Sequence, residues 1–166
     1  MDISKWTPDQ ILGLPDFCLG RRFPIFVALN SAASAWIADI SEANFPDPCI
    51  LWQVVVWYSS WGAATLAFRL GLGNRLPVSD AEFDTLEAVL HGFGSTGPEP
   101  RAIRIEGGAY SYLIDCKTMI RTSGRRLCIC AVTGVVRTYT LHVTLVVSAV
   151  PKEVPDWVFS GQVKSQ

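Results

Sequence analysis

The side chains able to do chemistry are few and scattered. Cys128 and Cys130 are the closest pair of potential metal ligands, and on a strand both thiols would point to one face. With Cys116 on an adjacent strand and a histidine they would make up a zinc-type set. Nothing in the spacing fixes that register, and cysteine commonly serves as a small buried hydrophobe. There are two histidines. His91 falls in the last turn of an expected helix, where a cation suits the helix dipole, and His142 sits on a threonine-lined strand face. Ser95 lies in Gly94-Ser95-Thr96-Gly97, but Phe93 stands where a nucleophile elbow needs its first glycine. Gly71, Gly73 and Asn74 complete neither phosphate-cradling motif and read as a turn. Arg125 and Arg126, beside Arg121, form the one local basic cluster, at an expected hairpin tip where a weak anion contact is the most they offer. No catalytic, cofactor or metal site is expected.

Composition points away from catalysis as well. The 166 residues are 49% hydrophobic and 17% charged, against about 25% charged in an average domain, so some apolar surface is expected to meet a partner. A net charge of −1 argues against a nucleic-acid binder, which needs clustered Lys and Arg. The charge is unevenly spread: Met1 to Thr96 holds five basic and ten acidic residues, Gly97 to Gln166 nine basic and five acidic. Such polarity suits head-to-tail pairing of copies, unless the fold interleaves the two parts. Five cysteines are an odd count and read as reduced thiols of a cytosolic protein, or of a particle assembled in the cytosol. MDISKWTPDQ has no basic region followed by an apolar stretch, so no signal peptide is expected.

The elements read as mostly strands in one domain. Residues 1–20, punctuated by Pro8, Gly13, Pro15 and Gly20, read as an extended arm with one helical turn over Pro8 to Leu12. Strands are expected over Phe23 to Leu29 and Ala35 to Ile40, with a helix over Ser31 to Ala43 as the competitor. Cys49 to Phe68 carries no charge and has the length of a membrane span. Its central Ser59, Ser60 and Gly62, and its dispersed tryptophans, favour a buried hairpin of Ile50 to Ser59 with Ala64 to Leu72. Ser79, Glu82, Val78 and Phe83 carry the capping box and hydrophobic staple of a helix over about residues 80–91, with Leu86, Leu90 and Phe93 continuing its stripe and Gly92 closing it. Gly94 to Pro100 reads as a loop. Period-two strands follow over Ala102 to Ile105 and Tyr110 to Ile120, a Ser123-Gly124 turn, then a hairpin of Leu127 to Val132 with Val135 to Val147 around Thr133-Gly134.

These signals give a mainly β fold, a β-sandwich or jelly-roll-like domain with one flanking α-helix, the alternative being α+β with an antiparallel sheet. The overall texture resembles small β-sandwich proteins of phage particles, which implies a structural role. The function expected is a non-enzymatic assembly subunit that forms a homo-oligomer or part of a larger particle, such as a virion capsid, connector or tail. Copies of itself or neighbouring structural proteins are the expected partners, with neither nucleic acid nor membrane. Trp6 in the arm, and Trp157 and Phe159 in the C-terminal tail of about residues 151–166, are the expected contact residues; Trp157, Val158 and Phe159 would pin the tail to its own domain or anchor it in a neighbour. The alternative function is a ligand- or carbohydrate-binding β module using Trp52, Trp57, Tyr58 or Trp61 as stacking platforms.

Overall fold

A computed structural model describes residues 1–31, 35–39, 45–59, 66–83, 85–88, 103–105, 111–132 and 139–159. Its strands are β1 (Phe23–Ser31), β2 (Ala35–Asp39), β3 (Cys49–Ser59), β4 (Leu66–Gly73), β5 (Glu87–Ala88), β6 (Ile103–Ile105), β7 (Ser111–Ile120), β8 (Arg126–Val132) and β9 (Tyr139–Ala149). They form two antiparallel sheets. One has the order β1-β9-β3-β7; the other runs β2-β8-β4, with β5 and β6 both pairing with β4. Leu51, Val54, Val56, Ile114, Leu141, Val143, Leu145 and Val147 of the first sheet share one core with Phe68, Leu70, Leu72, Leu127 and Ile129 of the second. The fold is therefore the expected β-sandwich, and its strand order is that of a jelly roll.

The expected hairpins do not form. β3 and β4, read as one hairpin, lie in different sheets, and so do β1 and β2, and β8 and β9. Nor does the uncharged stretch from Cys49 make a helix: none in the described residues is long and apolar enough to cross a membrane. The physical reason lies in the pattern of β3, whose two faces are both apolar and so need covers on both sides, which a two-stranded hairpin cannot supply. Strands from the acidic and basic parts of the chain alternate as β1-β9-β3-β7 in the first sheet and as β2-β8-β4 in the second, where β4 also pairs with β6 of the basic part and β5 of the acidic one. The charge polarity of the sequence is interleaved in the sheets.

The helix expected over about 80–91 starts as read and stops early. Ser79 Oγ accepts from Glu82 N at 3.2 Å, and the Glu82 carboxylate accepts from Val78 N at 3.1 Å. The helix α2 spans only Asp80–Phe83. The Thr85 hydroxyl then donates to Glu82 O at 2.7 Å, and Glu87 and Ala88 pair with Leu72 and Gly71. A strand edge with unpaired amides outcompetes helical propensity here. Gly92, Leu90, Phe93, His91 and Ser95 lie outside the described residues.

Residues 1–20 are packed, not extended. The helix α1 (Pro8–Leu12) has a capping box between Thr7 and Gln10. Ile3, Ile11, Leu14 and Leu19 are buried together with Ile50 and Trp52 of β3 and Val154 of the C-terminal segment. The two terminal segments also pair with each other: Ile3 N donates to Lys152 O and Val154 N to Met1 O, both at 3.0 Å. Gly20 makes the turn into β1 at φ +82°, where a Cβ would stand 2.7 Å from Ala149 O. Gly20→Ala is expected to cost about 2 kcal/mol or more, because it adds a backbone clash to a left-handed conformation. Gly124→Ala, at φ +68° in open space, is expected to cost about 1 kcal/mol. Urea denaturation of both variants measures the difference, and equal losses would refute the close approach.

Candidate functional site

The outer face of the β1-β9-β3-β7 sheet is where the chain's unusual features gather. Strand register fixes which residues share that face. Along β3 the alternation breaks: Leu51 and Gln53 face the consecutive residues Val147 and Val146 of β9, so Trp52 is an extra residue, a β-bulge. Across on β7, Leu51 faces Thr118 and Gln53 faces Asp115, and Lys117 sits between them at φ 45°. That conformation is uncommon for a side chain with a Cβ and marks local strain.

The bulge turns the Trp52 ring under the terminal segments, where it is buried. Its Nε1 donates to Ser148 Oγ at 2.8 Å, and the Ser148 hydroxyl donates to Leu19 O at 2.7 Å, a buried chain of two bonds tying β3 and β9 to the entry of β1. Over the ring lies the Arg22 guanidinium, 3.7 Å from its centroid. Arg22 and Lys117 both donate to Asp16, at 3.1 and 2.8 Å, and Gln53 Nε2 donates to Asp115 at 2.8 Å. The Lys117 hydrogen bond foremost, with help from the nearby Arg22 charge, holds the Asp16 carboxyl below its ordinary range. These residues line a hollow of about 300 Å³. A sugar could reach Trp52 only by displacing Arg22, so Trp52 is not the stacking platform the sequence suggested. Trp57 is exposed and tilts against His142 with ring centroids 4.7 Å apart. Trp61 and the Tyr58 side chain lie outside the described residues.

The expected contact residues fall into two groups. Trp6 meets Phe159 edge to face at 5.3 Å. Trp157 stacks on Phe17, with centroids 5.9 Å apart and planes 8° from parallel, yet Phe17 remains 70% and Trp157 60% exposed. The N- and C-terminal segments thus present aromatic rings side by side. Phe17 was missed in sequence because it stands alone among prolines and polar residues. Arg125 and Arg126 belong to a different place, the turn into β8. Arg125 is ion-paired with Glu87 of β5 beside a hollow of about 570 Å³, and Arg126 is exposed. Cys128 and Cys130 share one face against Leu86, but Cys116 stands in the other sheet, so the three thiols do not converge. Among the described residues no group of three or more His, Cys, Asp or Glu could hold a metal ion.

No family model matches the chain, and no curated protein matches it. Solved structures similar to it include a chain of the cyanophage Pam1 capsid asymmetric unit, 13% identical with a TM-score of 0.46 over 79% of this chain and 86% of that one. A chain of the disulfide-linked pili of Bacillus endospore appendages is 12% identical with a TM-score of 0.35 over 79% and 88%. The assignment as a β-sandwich rests on the chain's own two sheets.

Two predictions follow from the Trp52 region. Ser148→Ala leaves the buried Trp52 N–H and Leu19 carbonyl unpartnered and is expected to cost about 2–4 kcal/mol. Adding Trp52→Phe should cost less than the sum of the single changes, measured as a double-mutant cycle in urea; strict additivity would show that the three groups do not act together. Burial pushes the Cys116 thiol up to about 12, with Asp115 adding to it, and the Cys49 thiol up to about 11, with Asp47 adding to it. The folded chain therefore keeps protons that the unfolded chain releases above about pH 8.5. Stability is full below that pH and falls as pH rises toward 11–12. Melting temperatures from pH 8 to 10.5 should decline less steeply for Cys116→Val than for the unmodified chain, and parallel declines would contradict the assignment.

Proposed function

We propose that this chain is a non-enzymatic structural subunit that associates with copies of itself or with neighbouring subunits of a larger particle, a virion capsid, connector or tail being the setting that suits it. The observation that carries this reading is the aromatic group at the chain termini. Phe17 and Trp157 are stacked and more than half exposed, and Phe159 beside them is 39% exposed. Rings held rigid by their own stacking lose little side-chain freedom on contact, and aromatic anchors of this kind dominate the energetics of protein interfaces. The segments that carry them are fixed to the sheet by the contact of Asp16 with Lys117 and to each other by the backbone pairing of Ile3 with Lys152. A preorganised patch of large exposed rings suits a partner better than it suits water.

Trp157→Ala removes the larger ring of the stack without opening the core. It is expected to raise the dissociation constant for self-association at least tenfold, read as mass against concentration by light scattering, while the melting temperature moves by only a few degrees. An unchanged mass profile would remove the terminal rings from the contact. A chain that stays monomeric up to about millimolar concentration, alone and with the other components of its particle, would overturn the reading.

A further inference from the structure

The open half of the outer sheet face carries a second set of exposed apolar side chains. Near the chain termini that face is covered by the chain itself, over Ile50, Trp52, Met119 and Val146. Beyond the Gln53 and Asp115 pair none of the described segments lies over it. Two rows of residues stand there in register. The first crosses the sheet as Phe26, Thr144, Val55 and Leu113; the second holds Ala28, His142 and Trp57. Phe26 is 76%, Leu113 54% and Trp57 42% exposed. The two rows carry no carboxylate, ammonium or guanidinium.

We propose that this face packs against the same face of a second copy of the chain, related by a two-fold axis. The inference deepens the assembly reading and rests on it. The argument is shape. Along three of the four strands a large side chain in one row has a small one next to it in the other: Phe26 and Ala28 on β1, His142 and Thr144 on β9, Trp57 and Val55 on β3. A two-fold axis lying in the interface, across the strands and midway between the rows, exchanges the rows. It sets Phe26 over Ala28 of the second copy, His142 over Thr144 of the second copy, and Trp57 over Val55 of the second copy. These three ridges then meet hollows, the relation that isologous contacts require and that face-to-face sheets use to interdigitate. Absence of fixed charge removes the like-charge repulsion that a self-facing surface otherwise incurs. The area suits the role. Phe26, Trp57 and Leu113 leave roughly 300–400 Å² of apolar surface in water. That is the apolar centre of a contact of about 800 Å² per partner, with Thr140 and the Gln53–Asp115 pair as its polar rim.

The test exchanges ridge and hollow. Ala28→Phe places a ring against Phe26 of the second copy and is expected to weaken self-association about tenfold or more through overpacking. Adding Phe26→Ala moves the ridge from one row to the other, so the two copies match again and the affinity should return to within about threefold of the original. Both positions lie on the exposed side of an edge strand, and circular dichroism with melting curves checks that the variants fold. Light scattering is run on each variant in the unmodified chain and in the Trp157→Ala chain, so that contact through the terminal rings is separated from contact through the face. Loss with Ala28→Phe and recovery in the double variant supports the two-fold face. Association that is indifferent to Ala28→Phe, or lost and not recovered, overturns it and leaves assembly through the terminal rings standing. A chain that never self-associates overturns the face-to-face contact, whereas assembly onto other subunits is then judged by their binding alone.

Discussion

A β-sheet that is apolar on both faces has to be covered on both, and the rest of this molecule follows from how that is done. β3 sits in the interior of its sheet between β9 and β7. Its inward side chains, Cys49, Leu51, Val54 and Val56, are buried by the second sheet, and its outward Ile50 and Trp52 are buried by the terminal segments. Full burial of a large apolar side chain is worth about 1.5–3 kcal/mol, so leaving Ile50 and Trp52 bare would forfeit a good part of a domain's margin of stability. The terminal segments are thus a third layer. Their attachment explains why polar groups otherwise out of place, Ser148 beneath the sheet's cover and Arg22 over an indole, are found where they are.

The sequence shows strands more readily than it shows which strands are neighbours. Period-two alternation in Leu141, Val143, Leu145 and Val147 marks β9 and its buried side without ambiguity, and the structure buries those four residues. Pairing is a different matter. Turn signals such as Ser59-Ser60-Trp61-Gly62 say that the chain reverses, and a reversal within a sheet looks the same as one that crosses from sheet to sheet. In this topology most consecutive strands change sheets, so local signals are read correctly as turns and wrongly as hairpins. The partners of β3 are β7 and β9, about sixty and ninety residues on, and no short-range pattern carries that information. Contacts of such separation also make folding slow relative to helical domains.

The site was legible only in part. Trp6, Trp157 and Phe159 stand out as large rings in polar, proline-rich surroundings, and the structure holds them in the terminal layer. Their counterpart Phe17 gave no pattern, because a single aromatic residue in a 3-10 turn has no periodicity to betray it. Trp52 gave no signal either: the structure turns Cys49 and Leu51, and then Val54 and Val56 out of phase with them, toward the core, but Ile50, Trp52 and Val55 between them are equally apolar, so the break of parity at the β-bulge does not show in the sequence. The early end of α2 was not legible at all. Its capping signals are local and correct, whereas the competing edge of β4 belongs to a strand whose exposed amides no local pattern reveals.

Geometry also decides where the self-made cover ends. β1 begins at Phe23 opposite Val147, β3 begins at Cys49, and β9 ends at Ala149 opposite Cys49. Chain entering and leaving the sheet therefore does so at one end. The terminal segments spread from that end, are pinned by Asp16 to Lys117, and cover the face as far as the Gln53–Asp115 pair. Past it the same strands continue for several residues, with Phe26, Trp57 and Leu113 still pointing outward and no described segment over them. If that far end served only solubility, polar residues at these three positions would cost the core nothing, since they lie on the side away from it. Apolar side chains there, on strands whose covered half is equally apolar, make one continuous surface of which the chain itself completes the part within its reach.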